Sequence, residues 1–170
     1  MTLLHRLTTA FAFTAGCALA MPAASATVHG TDLACSFTAA TGSDGRVTVS
    51  FTLRNASKAD RHLLRWGSPF EGAWFGRFLR VTTPQGELPL QGAMKKRGDP
   101  SAADYLLLRA GQSTDVALTL DDAFTLPATG PLTLQAAWRW HDVLSHGTPP
   151  RPRERHQGLD QDCGRIVLPR

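Results

Sequence analysis

The sequence predicts an antiparallel, immunoglobulin-like β-sandwich of about seven or eight strands, and three observations predict it. Apolar and polar residues alternate with period two in the longest patterned segments. Turn signals rich in Gly, Pro and Asp separate those segments at short intervals. No segment carries a helical stripe, and no internal repeat is present.

Residues 33–38 form the first β-prone piece and contain Cys35. The clearest strand comes next: Val47, Val49, Phe51 and Leu53 alternate with Thr48, Ser50, Thr52 and Arg54, which gives one wet face and one dry one. Shorter pieces follow at 62–66, 77–82 and 105–108. Val116, Leu118 and Leu120 then alternate with Asp115, Ala117 and Thr119. Leu132, Leu134, Ala136, Trp138 and Trp140 alternate with Thr133, Gln135, Ala137 and Arg139, and residues 163–168 close the domain. Between them lie the turns Gly42-Ser43-Asp44-Gly45, Pro84-Gln85-Gly86, Ala110-Gly111 and Thr129-Gly130-Pro131. Residues 101–104 have room for one helical turn. The loop-rich stretches are 67–76, 90–104 and 142–161. The last of these carries Pro149, Pro150 and Pro152 among Arg151, Arg153 and Arg155, and reads as a solvated, extended excursion.

Residues 1–26 have the parts of a secretory signal: a basic start at His5-Arg6, an apolar run from Leu7 to Met21, and small residues Ala24-Ser25-Ala26 for cleavage before Thr27. That run is too short to span a bilayer stably, so the chain is expected in the periplasm or outside the cell, without a membrane span. Lipidation at Cys17 is a rival reading, ranked behind plain cleavage because Thr14 stands where a larger aliphatic residue is usual. Residues 27–170 are expected to form a single domain. Cleavage leaves two cysteines, Cys35 and Cys163, which an oxidising compartment is expected to join.

Composition excludes more than it assigns. Of the 170 residues, 42% are hydrophobic and 19% charged, which fits neither a disordered nor a collagen-like chain. The net charge of +4 does not call for nucleic acid, even with a pI near 9.4.

The middle of the chain resembles a known non-catalytic domain. The stretches are FTLRN at 51–55, LLRWGSPFEG at 63–72, LPLQGAMKKRGDPSAADYLLLRAGQS at 88–113 and LTLDDAF at 118–124. They are similar to the N-terminal, propeptide-type β-domain of bacterial aspzincin zinc peptidases, the deuterolysin and peptidyl-Lys metalloendopeptidase family. In that family the chemistry belongs to a following domain with an HExxH helix, in which two histidines one turn apart hold zinc and the glutamate acts as base. No HExxH occurs here: four residues separate His141 from His146, and no glutamate follows His141. The resemblance therefore implies a binding domain without peptidase activity or a cofactor. Its partner would be a protein, with a zinc peptidase as the candidate and the oligomeric state left open.

Two clusters are candidate partner surfaces. The first holds Trp66, Phe70, Glu71 and Trp74, with Arg65, Phe75, Arg77, Phe78 and Arg80 around them. Trp and Arg are common interface anchors, but such rings also plug the end of a small β core. The second holds Lys95, Lys96 and Arg97, with Asp104 and Tyr105 downstream. It reads either as a loop that engages a protease or another acidic partner, or as a solvated turn. Arg97-Gly98-Asp99 spells an adhesion tripeptide that recurs by chance. His141, His146, His156, Asp160 and Asp162 are all possible metal ligands, yet no pair has a recognised spacing, so a small metal-assisted hydrolase is only the alternative. A structural envelope protein is the other. Asn55-Ala56-Ser57 is a glycan acceptor sequence, relevant only to a eukaryotic secretory route.

Overall fold

A computed structural model describes residues 23–29 and 32–170, and these are all-β, without an α-helix. In chain order the strands are β1 (Ala24–His29), β2 (Leu33–Thr41), β3 (Val47–Asn55), β4 (Arg61–Leu64), β5 (Leu79–Thr83), β6 (Gly86–Glu87), β7 (Tyr105–Leu108), β8 (Ser113–Thr119), β9 (Leu132–Trp140), β10 (Val143–Leu144) and β11 (Leu159–Leu168). They form three sheets ordered β1-β2-β3-β8, β10-β4-β7 and β11-β9-β5-β6, with every pair antiparallel. The eight segments legible in the sequence are all strands. The additions are β1, which overlaps the expected signal, and the two-residue β6 and β10, too short for alternation to register.

Alternation predicts the inward faces. Val47, Val49, Phe51 and Leu53 of β3 are fully buried, as are Leu132, Leu134, Ala136 and Trp140 of β9. Phe51 sits at the centre, stacked on Phe37 at 5.8 Å and edge-on to Phe78 and Trp138 at 5.9 and 6.2 Å. Such offset and T-shaped pairs add to the burial term.

The bridge between Cys35 and Cys163 spans 128 residues and ties β2 to β11 across two sheets. A bulge makes it possible. Register slips between Asp162 and Gly164, so Cys163 is an extra residue opposite β9, with Gly164 at φ 89°. The inward parity of β11 shifts there from Gln161 and Cys163 to Ile166 and Leu168.

Residues 1–22, which hold most of the expected signal and Cys17, lie outside the described residues. Ala24-Ser25-Ala26, read as the cleavage triplet, pairs in β1 with Ala39, Thr38 and Phe37 of β2. Cleavage after Ala26 leaves Thr27, Val28 and His29 opposite Ser36, Cys35 and Ala34. Among the described residues no helix is long and apolar enough to cross a membrane. Asn55 is fully buried and donates to the carbonyls of Ala59 and Leu108 at 2.8 and 2.9 Å, so its acceptor sequence is closed to a glycan on the folded domain.

Candidate protein-binding cleft

The chain leaves β4 through Trp66 and Gly67 and makes a 3-10 turn at Pro69–Glu71. Pro69 stands in the first turn, where its missing N–H costs nothing, and Gly72 ends the turn at φ 81°. Phe70 then points inward, stacked on Trp140 at 6.0 Å. Trp74 is buried too, stacked on Phe78 at 4.8 Å, with its indole N–H donated to the Thr119 carbonyl at 2.9 Å. These two rings plug the core. So buried, they offer little surface to a partner, and Trp74→Ala would test packing rather than recognition.

Glu71 organises what remains at the surface. Its side chain is only 8% exposed, yet it meets two cations: Arg97 through both terminal nitrogens, at 2.5 and 2.6 Å, and Lys95 at 3.2 Å. The Gly67 N–H adds a donor at 3.1 Å. The Arg97 guanidinium lies 5.2 Å from the Trp66 ring and 5.8 Å from Phe75, and Lys95 lies 4.9 Å over Phe75. Trp66 donates its indole N–H to Asp104 at 3.0 Å. The Ser101 N–H and hydroxyl bind the same carboxylate at 2.8 and 2.7 Å, capping the 3-10 turn Ala102–Asp104 foreseen at 101–104. Trp66, Glu71, Lys95, Arg97 and Asp104 are therefore one connected unit. Lys96 is exposed and outside it. The adhesion tripeptide is dismantled, because Arg97 is held on Glu71 while Asp99 turns to Arg153 at 3.1 Å.

Close backbone approach holds the long loop in place. A Cβ on Gly92 would come within 2.2 Å of the Trp74 carbonyl oxygen, so only glycine lets the 90–104 loop lie against that turn.

Burial alone would raise the Glu71 carboxyl, but Arg97, the Gly67 N–H and Lys95 outweigh it and hold the group below its usual range. The Ser101 N–H and hydroxyl, with the Trp66 indole, do the same to Asp104 against a smaller desolvation effect. A depressed folded value means Glu71 stabilises the fold fully above about pH 4.3 and loses that contribution as pH falls through the folded value. Glu71→Gln keeps an acceptor for Gly67 but leaves Arg97 and Lys95 uncompensated. Urea denaturation at pH 7 should show a loss of about 2 kcal/mol. The gap should close as pH falls through the folded value of Glu71, where the wild-type carboxyl itself becomes neutral; a gap unchanged by acid would sink this account.

The 142–161 stretch is not the free excursion its composition suggests. Asp142 is fully buried at the end of β9, and Tyr105 donates its hydroxyl to it at 2.8 Å. Arg151 returns through Nε at 2.9 and 3.1 Å and through Nη2, and the Gln157 N–H adds a bond at 2.9 Å. His156 Nε2 lies 3.1 Å from the Arg151 carbonyl and 3.9 Å from Asp142. Burial and the Asp142 carboxylate together push the Tyr105 phenol well above its usual range. Tyr105 thus anchors the segment from behind rather than meeting a partner.

So pinned, the segment forms the far wall of a cleft of about 420 Å³. Trp66 and Phe75 supply aromatic surface, Lys95, Arg97 and Arg153 supply charge, and His141 and His156 complete the lining. Sequence reasoning placed only part of this set. It missed Arg153 and His156 as neighbours of the Lys95–Arg97 loop and gave Asp142 no role. Among the described residues, no three His, Cys, Asp or Glu side chains converge as metal ligands would.

The chain is similar to an extracellular protease of Aeromonas hydrophila, with 32% identity over 94 residues. The match covers 55% of this chain but only 27% of that protein, so the chain spans about a quarter of its relative. No family model matches the chain.

Proposed function

We propose that this chain is an exported, non-enzymatic protein-binding domain that acts on a separate protease in trans, masking it, inhibiting it or assisting its folding. The observation that carries the reading is the partial similarity to an extracellular protease. The stretches resembling an aspzincin pro-domain support it, because they contain Trp66, Lys95 and Arg97, which line one cleft, and Glu71, which holds Lys95 and Arg97 from behind. A rigid sandwich presents such loops at little ordering cost. The chain contains no HExxH sequence, which fits a binding role and a zinc peptidase as the partner. On this reading the domain works in the periplasm or outside the cell.

The test is capture from the native secretome on the immobilised domain, followed by activity assays of the captured protein. A zinc peptidase should be retained, and its activity or refolding yield should change when the domain is added. Lys96→Ala should weaken capture while leaving the thermal midpoint unchanged, since Lys96 is exposed and outside the Glu71 network. Peptide cleavage by the purified domain itself, abolished by chelation, would overturn the reading.

A further inference from the structure

The cleft is electrostatically one-sided. Lys95, Arg97, Arg153, His141 and His156 line it, and none of its lining side chains is a carboxylate. Three of the neighbouring acids stand behind the walls: Glu71 holds Lys95 and Arg97, Asp104 holds Trp66, and Asp142 lies behind His156, while the exposed Asp99 pairs with Arg153 from outside the lining. Arg97 is held in place by its fork on Glu71 and its position beside Trp66, with its side chain only 20% exposed, so it is a rigid wall. Lys95 and Arg153 keep donors to spare, with side chains 50% and 51% exposed. Lys95 carries three ammonium protons and meets one carboxylate oxygen. Arg153 meets Asp99 through Nε and the Gly98 carbonyl through Nη2. Positive charge with spare donors, set between two aromatic faces, suits an anion on a short apolar stem.

We propose that the cleft captures a carboxylate side chain from an acidic segment of the protein partner. The methylene stem would lie against Trp66 and Phe75, and the oxygens would be shared by Lys95 and Arg153. This rests on the reading that the domain works by binding protein. The cations are gathered in one concavity rather than strung along a strand, which suits an inserted side chain better than a linear polyanion.

Calorimetric titration of the exported chain at low salt, with N-acetylated, C-amidated hexaglutamate and hexaglutamine, tests the assignment. Hexaglutamate should bind one-to-one and hexaglutamine should not. The double variant Lys95→Gln/Arg153→Gln should weaken binding about tenfold, while Lys58→Gln/Arg109→Gln, at the opposite end of β4 and β7, should change it by less than about twofold. Since Lys95 also serves Glu71, the pair Arg153→Gln/His141→Gln repeats the test without touching that contact. Equal binding of hexaglutamine, or equal loss in the Lys58/Arg109 pair, would overturn the proposal. So would displacement of hexaglutamate by inorganic phosphate at matched carboxylate concentration, which would reassign the site to phosphate. Hexaglutamate binding without protease capture would remove the protease reading and keep the cleft. Protease capture without hexaglutamate binding would do the reverse.

Discussion

Replacing both Cys35 and Cys163 with alanine, or reducing their bridge, should lower the stability of this domain by about 4–5 kcal/mol. The loop closed by the bond spans 128 residues, nearly the whole domain, and the entropy released to the unfolded chain grows with that length. Both cysteines are buried, so the thiols left by reduction sit inside the core. For a domain of this size the melting midpoint should fall by about 10–15 °C. Circular dichroism melts with and without reductant measure it, and a midpoint unmoved by reduction would show that the sheets alone carry the stability.

Asp142→Ala should cost about 3–5 kcal/mol, because removing one partner of a buried ion pair strands the other. Arg151 is left 21% exposed without its carboxylate, and the Tyr105 hydroxyl and Gln157 N–H lose their acceptor. In a chain already carrying Arg151→Met, the same substitution should cost much less, and that coupling separates the pair from simple packing loss. Burial alone would raise the Asp142 carboxyl, but Arg151, the Gln157 N–H and Tyr105 hold it below its usual range. Its contribution is therefore complete above about pH 3.9 and disappears as pH falls through the folded value. Chemical denaturation from pH 7 down to pH 2 should show the wild-type advantage over Asp142→Ala shrinking only at the acid end. A constant difference across that range would refute the assignment.

Period-two alternation made the sandwich legible, because β3 and β9 each keep a dry face along their length, while β8 buries only Leu118 and leaves Val116 half-buried. It had less purchase on β1, whose small residues resemble a cleavage site, and on Cys163, where a bulge breaks the parity on which the reading depends. Part of the cleft was visible: Trp66, Lys95 and Arg97 line it, and Glu71 and Asp104, from the same unusual loops, hold them from behind. Phe70 and Trp74 occupy the same loop but face the core, and composition cannot tell an anchor ring from a plug. The far wall was hidden because prolines and arginines read as solvated chain. Yet Asp142 continues the inward parity of Leu132, Leu134, Ala136, Trp138 and Trp140. A carboxylate on an inward face demands a cation, and Arg151 is near in sequence. That signal was present and went unused.

The bond between the second strand and the last has an effect on damaged molecules as well as on intact ones. A single backbone cut anywhere between residues 35 and 163 produces two fragments that remain covalently joined. Nicking in the exposed stretch after β10 would therefore leave one particle with its strands still paired. Gel electrophoresis would reveal the cut only after the sulfurs are parted.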